Sequence, residues 1–146
     1  NKHSNCTRKK LSKHYFFYLS FENSFCKDYA TEKFFDTLKY DMIPVVMGIG
    51  SYDYWIPKSG YIDVGDFKTV KALTDYLVYL SQNSSAYNSY FKWKKYVNFE
   101  RAKRVLCDMC IKLNLEEHFG IKERILKRVK DYWDYKKNCL WPVLSK

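Results

Sequence analysis

The chain has 146 residues, 47% hydrophobic and 19% aromatic, with five Gly, three Pro and a net charge of +10. That composition excludes a disordered tail, a collagen-like chain and a low-complexity linker, and no apolar run reaches the roughly 18 residues of a membrane-spanning helix. Residues 1–13 and 120–146 each contribute +5 while residues 14–119 sum to zero, a pattern of solvated basic termini rather than of a folded nucleic-acid-binding face.

The first residue is Asn1, and the polar, basic start has no apolar signal core, so the chain reads as a fragment or a processed product. The aromatic run at 15–21 has strong β-propensity and predicts a buried strand, followed by the polar loop Glu22-Asn23-Ser24. From about Tyr29, Phe34, Phe35 and Leu38 recur at helical spacing, with Asp28 and Thr31 as caps. Ile43 to Met47 predicts a second buried strand, ended by Gly48-Ile49-Gly50. Strand, loop, helix and strand make one βαβ unit of a parallel sheet.

Residues 51–60 are irregular, and Tyr61 to Val64 predicts a short third strand. Asp66 or Thr69 opens a helix through Leu73, Leu77 and Leu80, and Asn83-Ser84-Ser85 breaks it. Further helices are expected from near Ala86 to about Tyr96, from Phe99 to Leu113 with Ala102, Leu106 and Met109 on one face, and over 121–137. The last places Ile121, Ile125, Val129 and Trp133 on a face that packs against the domain or lies on a membrane surface. Ligands of an open parallel sheet bind beyond the carboxyl ends of its strands, so a small-molecule site should gather residues of 18–33 and the 48–54 loop.

Five cysteines, Cys6, Cys26, Cys107, Cys110 and Cys139, leave at least one free or paired outside the chain in an oxidising compartment. Sequons at Asn5 and Asn83 mark glycosylation candidates and, with the cysteines, tilt toward the secretory pathway. Cys107-x-x-Cys110 lacks the second ligand pair of a zinc site and lies mid-helix, unlike a thioredoxin-type pair; a pair of buried free thiols is the plain reading of the residues.

The run from Phe21 to Lys33, F-E-N-S-x-C-x-D-Y-x-T-E-K, resembles the signature of the α-1,3-fucosyltransferases, glycosyltransferase family 10. The likeness continues through Ile43 to Gly48, Tyr61 to Phe67, Leu73, Tyr76, Leu77 and Leu80, the Tyr87 to Trp93 stretch and the CxxC, and covers about residues 14–114. The resemblance implies an α/β fold, a Rossmann-like parallel sheet flanked by helices, forming the C-terminal half of a GT-B glycosyltransferase. Its implied organisation is a basic linker at 1–13 from a missing acceptor domain, a GDP-fucose-binding domain at 14–115, and a C-terminal helix and tail at 116–146.

The resemblance also implies donor-binding roles. Lys33 neutralises the diphosphate, Glu32 accepts from ribose or sugar hydroxyls, Asn23 and Tyr29 donate to phosphate or sugar oxygens, and Tyr18 lines the nucleotide pocket. These residue types suit a dianionic ligand, which needs a cation, N–H donors and an acceptor for hydroxyls. Glu22, Ser20 and Ser24 share the signature without an assigned role, and Ala30 stands where the family usually has Val or Ile.

The implied reaction is an inverting transfer of L-fucose from GDP-fucose to N-acetylglucosamine of a glycan in α-1,3 linkage. Its general base lies in the acceptor domain, so no catalytic residue is expected in this chain, and the fragment alone should be inactive. Lys33 replaces a metal: Asp63-Val64-Gly65-Asp66 has the wrong spacing for Asp-x-Asp, and no essential cofactor or cation is expected. Cys107 and Cys110 are implied to form disulfides with cysteines of the missing domain. The expected partners are GDP-fucose and, through that domain, a glycan acceptor. The full-length protein is expected in the Golgi lumen as a type II membrane protein, attached only through an absent N-terminal anchor. The alternative is a non-catalytic nucleotide-sugar-binding or interaction module derived from the family.

Overall fold

The computed structural model of the chain describes residues 8–97, 105–118 and 135–140. In chain order the strands are β1 (Phe17–Phe21), β2 (Phe25–Cys26), β3 (Ile43–Met47), β4 (Ile62–Asp63) and β5 (Cys139–Leu140). The helices are α1 (Glu32–Thr37), α2 (Val70–Gln82), α3 (Ser84–Ser89), α4 (Val105–His118) and α5 (Tyr135–Asn138). Residues 8–97 and 135–140 belong to one compact unit and 105–118 to a second.

β1, β3 and β4 form a parallel sheet in the order β1-β3-β4, in register Phe17↔Ile43 through Phe21↔Met47 and Val45↔Ile62. β3 is the central strand, and its run of Ile43, Pro44, Val45 and Val46 is buried throughout, as a strand covered on both faces requires. Proline usually disrupts a central strand because it lacks an N–H. Pro44 is tolerated because β4 pairs only with Val45 and Val46, so that ladder has not begun at position 44.

Period-two alternation separates two cores. Val46 joins Phe34 and Leu38 of α1, with Tyr52, Tyr61 and Trp93, on one side. Ile43 and Val45 join Ile62, Leu73 and Leu80 on the other, under α2. The result is a sheet flanked by helices on both faces. Tyr87 of α3 brings its hydroxyl within 2.9 Å of the Phe16 carbonyl and 3.0 Å of the Asp41 carbonyl, tying the helix to the segments that enter β1 and β3. Gly60 is a close-approach position, since a Cβ there would stand 2.6 Å from Trp93 Nε1 and 2.8 Å from Ile56 Cδ1.

Helix starts follow capping chemistry. Thr69 caps α2 by accepting from the Ala72 N–H at 3.1 Å. Asn83 ends α2 and caps α3, accepting from the Ala86 N–H at 3.0 Å. The helix expected from Tyr29 begins three residues later. Asp28 has φ 57°, in the left-handed region, and Thr31 is an extended N-cap, so the chain turns before it can coil. The helix expected from Ala86 to Tyr96 is α3 followed by a separate 3-10 turn at Lys92–Lys95. α4 runs across 115/116, where a boundary is expected from sequence. Of the helix expected over 121–137, the part before Tyr135 lies outside the described residues, as do Asn5, Cys6, Phe99 and Ala102.

Two outcomes test this core. Phe34 is fully buried against Phe35, Tyr52 and Tyr61, so Phe34→Ala should cost about 3–5 kcal/mol by denaturant titration; a loss under about 1 kcal/mol would contradict the packing of α1. Burial, the leading cause, raises four tyrosine hydroxyls above the usual 10, with Tyr52 and Tyr87 reaching about 12 and Tyr61 and Tyr90 also raised. The unfolded chain ionises these near 10 while the fold keeps them neutral, so their contribution is intact below pH 10 and falls away as pH rises toward 12. Tyrosinate absorbance should show a late-titrating class that merges with the rest in denaturant; a single class near 10 would contradict it.

Candidate functional site

The loop between β1 and α1 is organised by one buried carboxylate. Glu22, at the carboxyl end of β1, is only 6% exposed. Its Oε1 accepts from the Thr31 N–H at 2.8 Å and its Oε2 from the Thr31 hydroxyl at 2.7 Å. Two good bonds to an ionised acceptor offset much of the cost of burying it. They also fix Thr31, the N-cap from which α1 starts.

Lys33 is held at both ends. Its carbonyl accepts from Ser20 Oγ at 3.1 Å and from Thr37 Oγ1 at 2.7 Å, which seats the first turn of α1 on β1. Its Nζ reaches the end of β1, donating to the Phe21 carbonyl at 2.8 Å and to Asn23 Oδ1 at 2.5 Å. An ammonium has three protons, and these bonds use two of them. The structure therefore brings Lys33 and Asn23 together on the strand-end rim. Glu32, the first residue of α1, is exposed beside them in sequence. Tyr29 is half-buried; its N–H donates to the Cys26 carbonyl at 3.2 Å, and its own carbonyl lies 3.1 Å from where a Cβ of Gly50 would stand.

Tyr18 sits farther down the strand than Lys33 Nζ and Asn23. It lies three residues, about 10 Å, before the end of β1. Arg8 stacks its guanidinium 5.3 Å from the Tyr18 ring, donates to the hydroxyl at 3.4 Å, and pairs with Asp36 of α1 at 3.0 Å. This cation–π and ion-pair cluster ties Tyr18 to α1 through Arg8 and Asp36.

The loop after β3 lies beside the 22–31 loop, at Asp28 and Tyr29. Tyr52 is buried with its hydroxyl unpartnered among the described residues; burial raises its pKa to about 12, and the Glu22 and Asp63 carboxylates add to the effect. A Cβ at position 48 would come 2.8 Å from that hydroxyl, so glycine is needed there. Beyond it opens a cleft of about 340 Å³ lined by Asp28, Ala30, Ser51, Tyr54 and Trp55. Ser51 Oγ donates to Asp28 Oδ1 at 3.1 Å, joining the two loops. Tyr54 is 80% and Trp55 53% exposed, an aromatic wall steadied by Trp55 standing edge-on to Phe35 at 5.2 Å. The topology of an open parallel sheet directs attention to these loops, but nothing in the sequence marks Ser51, Tyr54 or Trp55 individually.

Lys58 bridges the Asp63 and Asp66 carboxylates at 3.6 and 2.8 Å, and among the described residues no group of three His, Cys, Asp or Glu side chains could hold a metal ion. The Asn83 amide donates to the Tyr79 hydroxyl at 3.1 Å in addition to capping α3. Cys107 and Cys110 are exposed free thiols on α4. A disulfide does form within the chain, between Cys26 and Cys139, a pairing that the sequence pattern does not single out.

Comparison with known proteins agrees with this architecture. The family description "Glycosyltransferase family 10 (fucosyltransferase) C-term" matches residues 1–132. Alpha-(1,3)-fucosyltransferase C of Drosophila melanogaster is 36% identical over 134 residues, covering 88% of this chain and 31% of the relative. Glycoprotein 3-alpha-L-fucosyltransferase A of the same organism is 42% identical over 126 residues, covering 84% and 25%. The chain thus spans between a quarter and a third of these relatives' length. A crystal structure of an alpha1,3-fucosyltransferase with GDP-fucose superposes with a TM-score of 0.53 at 29% identity, over 58% of this chain and 25% of that one. A second, with GDP, gives 0.54 at 28% identity, over 66% and 28%. The chain belongs to glycosyltransferase family 10, the fucosyltransferases, and its α/β sheet is the C-terminal, Rossmann-like half of their GT-B fold.

Proposed function

We propose that this chain is the donor-binding part of an α-1,3-fucosyltransferase, holding GDP-fucose while L-fucose passes to an N-acetylglucosamine hydroxyl of a glycan. The observation that carries the reading is the Lys33 ammonium, fixed to the Phe21 carbonyl and Asn23 at the strand-end rim, with no third acceptor among the described residues. A diphosphate there gains a charge-assisted bond from a group already positioned, with little reorganisation at the moment the phosphate departs.

The chemistry is an inverting single displacement. As the bond from the anomeric carbon to the phosphate oxygen breaks, negative charge grows on GDP, and Lys33 stabilises it in place of a metal ion. Asn23 and Tyr29 orient phosphate or sugar oxygens, and Glu32 accepts from ribose or sugar hydroxyls. Tyr18, held by Arg8, lines the nucleotide pocket. Removing the acceptor proton needs a general base on the acceptor side, which we assign to a domain outside this chain. The chain alone therefore binds the donor and transfers nothing. Cys107 and Cys110 link to that domain through disulfides, and the full-length protein works in the Golgi lumen as a type II membrane protein.

Calorimetric titration with GDP tests the reading. Lys33→Ala removes a charge-assisted interaction of about 1.5–3 kcal/mol, a weakening of roughly 10- to 150-fold. Equal affinity in parent and variant would remove Lys33 from the site, and no binding by the parent would remove the donor-binding reading itself.

A further inference from the structure

The Cys26–Cys139 disulfide joins the 22–31 loop to a residue 113 positions away. Cys139 lies beyond residue 132, where the family match ends, so this tie is not part of what that match describes. Cys26 sits between Asn23 and Tyr29 and is 3% exposed.

Around the disulfide, β2 and β5 pair antiparallel over two residues each, Phe25↔Leu140 and Cys26↔Cys139, and the Lys27 N–H donates to the Asn138 carbonyl at 2.7 Å. An isolated two-stranded pairing is marginal in water even at full length, so the covalent bond is what holds this one.

The ends of the loop have their own tethers. Lys33 holds Asn23 at one end, and Glu22 holds Thr31 at the other. The middle has an exposed bond from Ser51 to Asp28 and the turn from the Tyr29 N–H to the Cys26 carbonyl. Asp28 adopts φ 57°, in the left-handed region that Asp tolerates better than most side-chain-bearing residues and that serves the turn.

We propose that the Cys26–Cys139 disulfide is a positioning element of the donor site. It pins the middle of the loop so that Tyr29 and the Asp28–Ala30 wall of the cleft stay in the arrangement that receives the nucleotide. It touches no ligand. Opening it lowers the fraction of chains with a competent loop, and apparent affinity falls by that fraction. The inference rests on the donor-binding reading.

The test compares the parent chain with Cys139→Ser by GDP calorimetry, after peptide mapping of the parent. The expected result is a Cys26–Cys139 linked peptide in the parent and a Kd about tenfold higher in the variant, at unchanged stoichiometry. A purely structural role would lower stoichiometry, the folded fraction, and leave Kd alone. Unchanged Kd in the variant, whatever the stoichiometry, or absence of the linked peptide, overturns the proposal. Should Cys139→Ser fail to fold, the Cys26→Ala/Cys139→Ala double variant, which leaves no unpaired thiol, takes the same measurement. A Cys107→Ser/Cys110→Ser double variant should bind GDP as the parent does; equal weakening there would trace the effect to cysteine loss in general and overturn the assignment. Absence of GDP binding in the parent overturns the donor reading first, and this inference with it.

Discussion

A carboxylate buried at the end of a strand sets the rest of the site. Glu22 gives one oxygen to the Thr31 N–H and the other to its hydroxyl. The loop between must then return to within bonding distance of β1, and α1 must begin where Thr31 is fixed. That starting point puts the Lys33 carbonyl over Ser20 and lets the Lys33 ammonium reach the Phe21 carbonyl. A neutral or shorter side chain at 22 would leave the Thr31 donors short of a strong acceptor. Glu22 thus fixes Thr31 and, with it, the start of α1.

The site joins two kinds of rigidity. On the β1 side it is electrostatic and hydrogen-bonded, with a loop closed by Glu22 and Lys33. On the β3 side it is steric: Gly48 admits the buried Tyr52 hydroxyl, and Trp55 leans on Phe35 of α1. Ser51 and Asp28 join the two where the loops meet. This division suits a ligand with a charged centre flanked by sugar and base, since phosphate recognition needs a fixed cation whereas ring recognition needs surface.

Much of this was legible in the residues. The unbroken run Ile43 to Met47 reads as a doubly covered strand, and the structure has it as the central one. Lys33 and Asn23 stand out through their place in the signature, and the fold brings them together. Other features were hidden for physical reasons. The start of α1 depends on Thr31 meeting Glu22 nine positions earlier, a tertiary bond that helical spacing does not encode. Tyr18 alternates onto the same face as Ser20, but its contact with Arg8, ten residues earlier, is tertiary and period two does not encode it. The pairing of Cys26 with Cys139 depends on where the chain returns after 113 residues, which cysteine spacing alone leaves open.

The most direct measurement is a crystal structure of this chain with GDP bound. The account places a pyrophosphate oxygen within hydrogen-bonding distance of Lys33 Nζ, with the nucleotide lying along the rim between the 22–31 loop and the 48–54 loop. A nucleotide found elsewhere, with that ammonium still engaged only by the Phe21 carbonyl and Asn23, would contradict it.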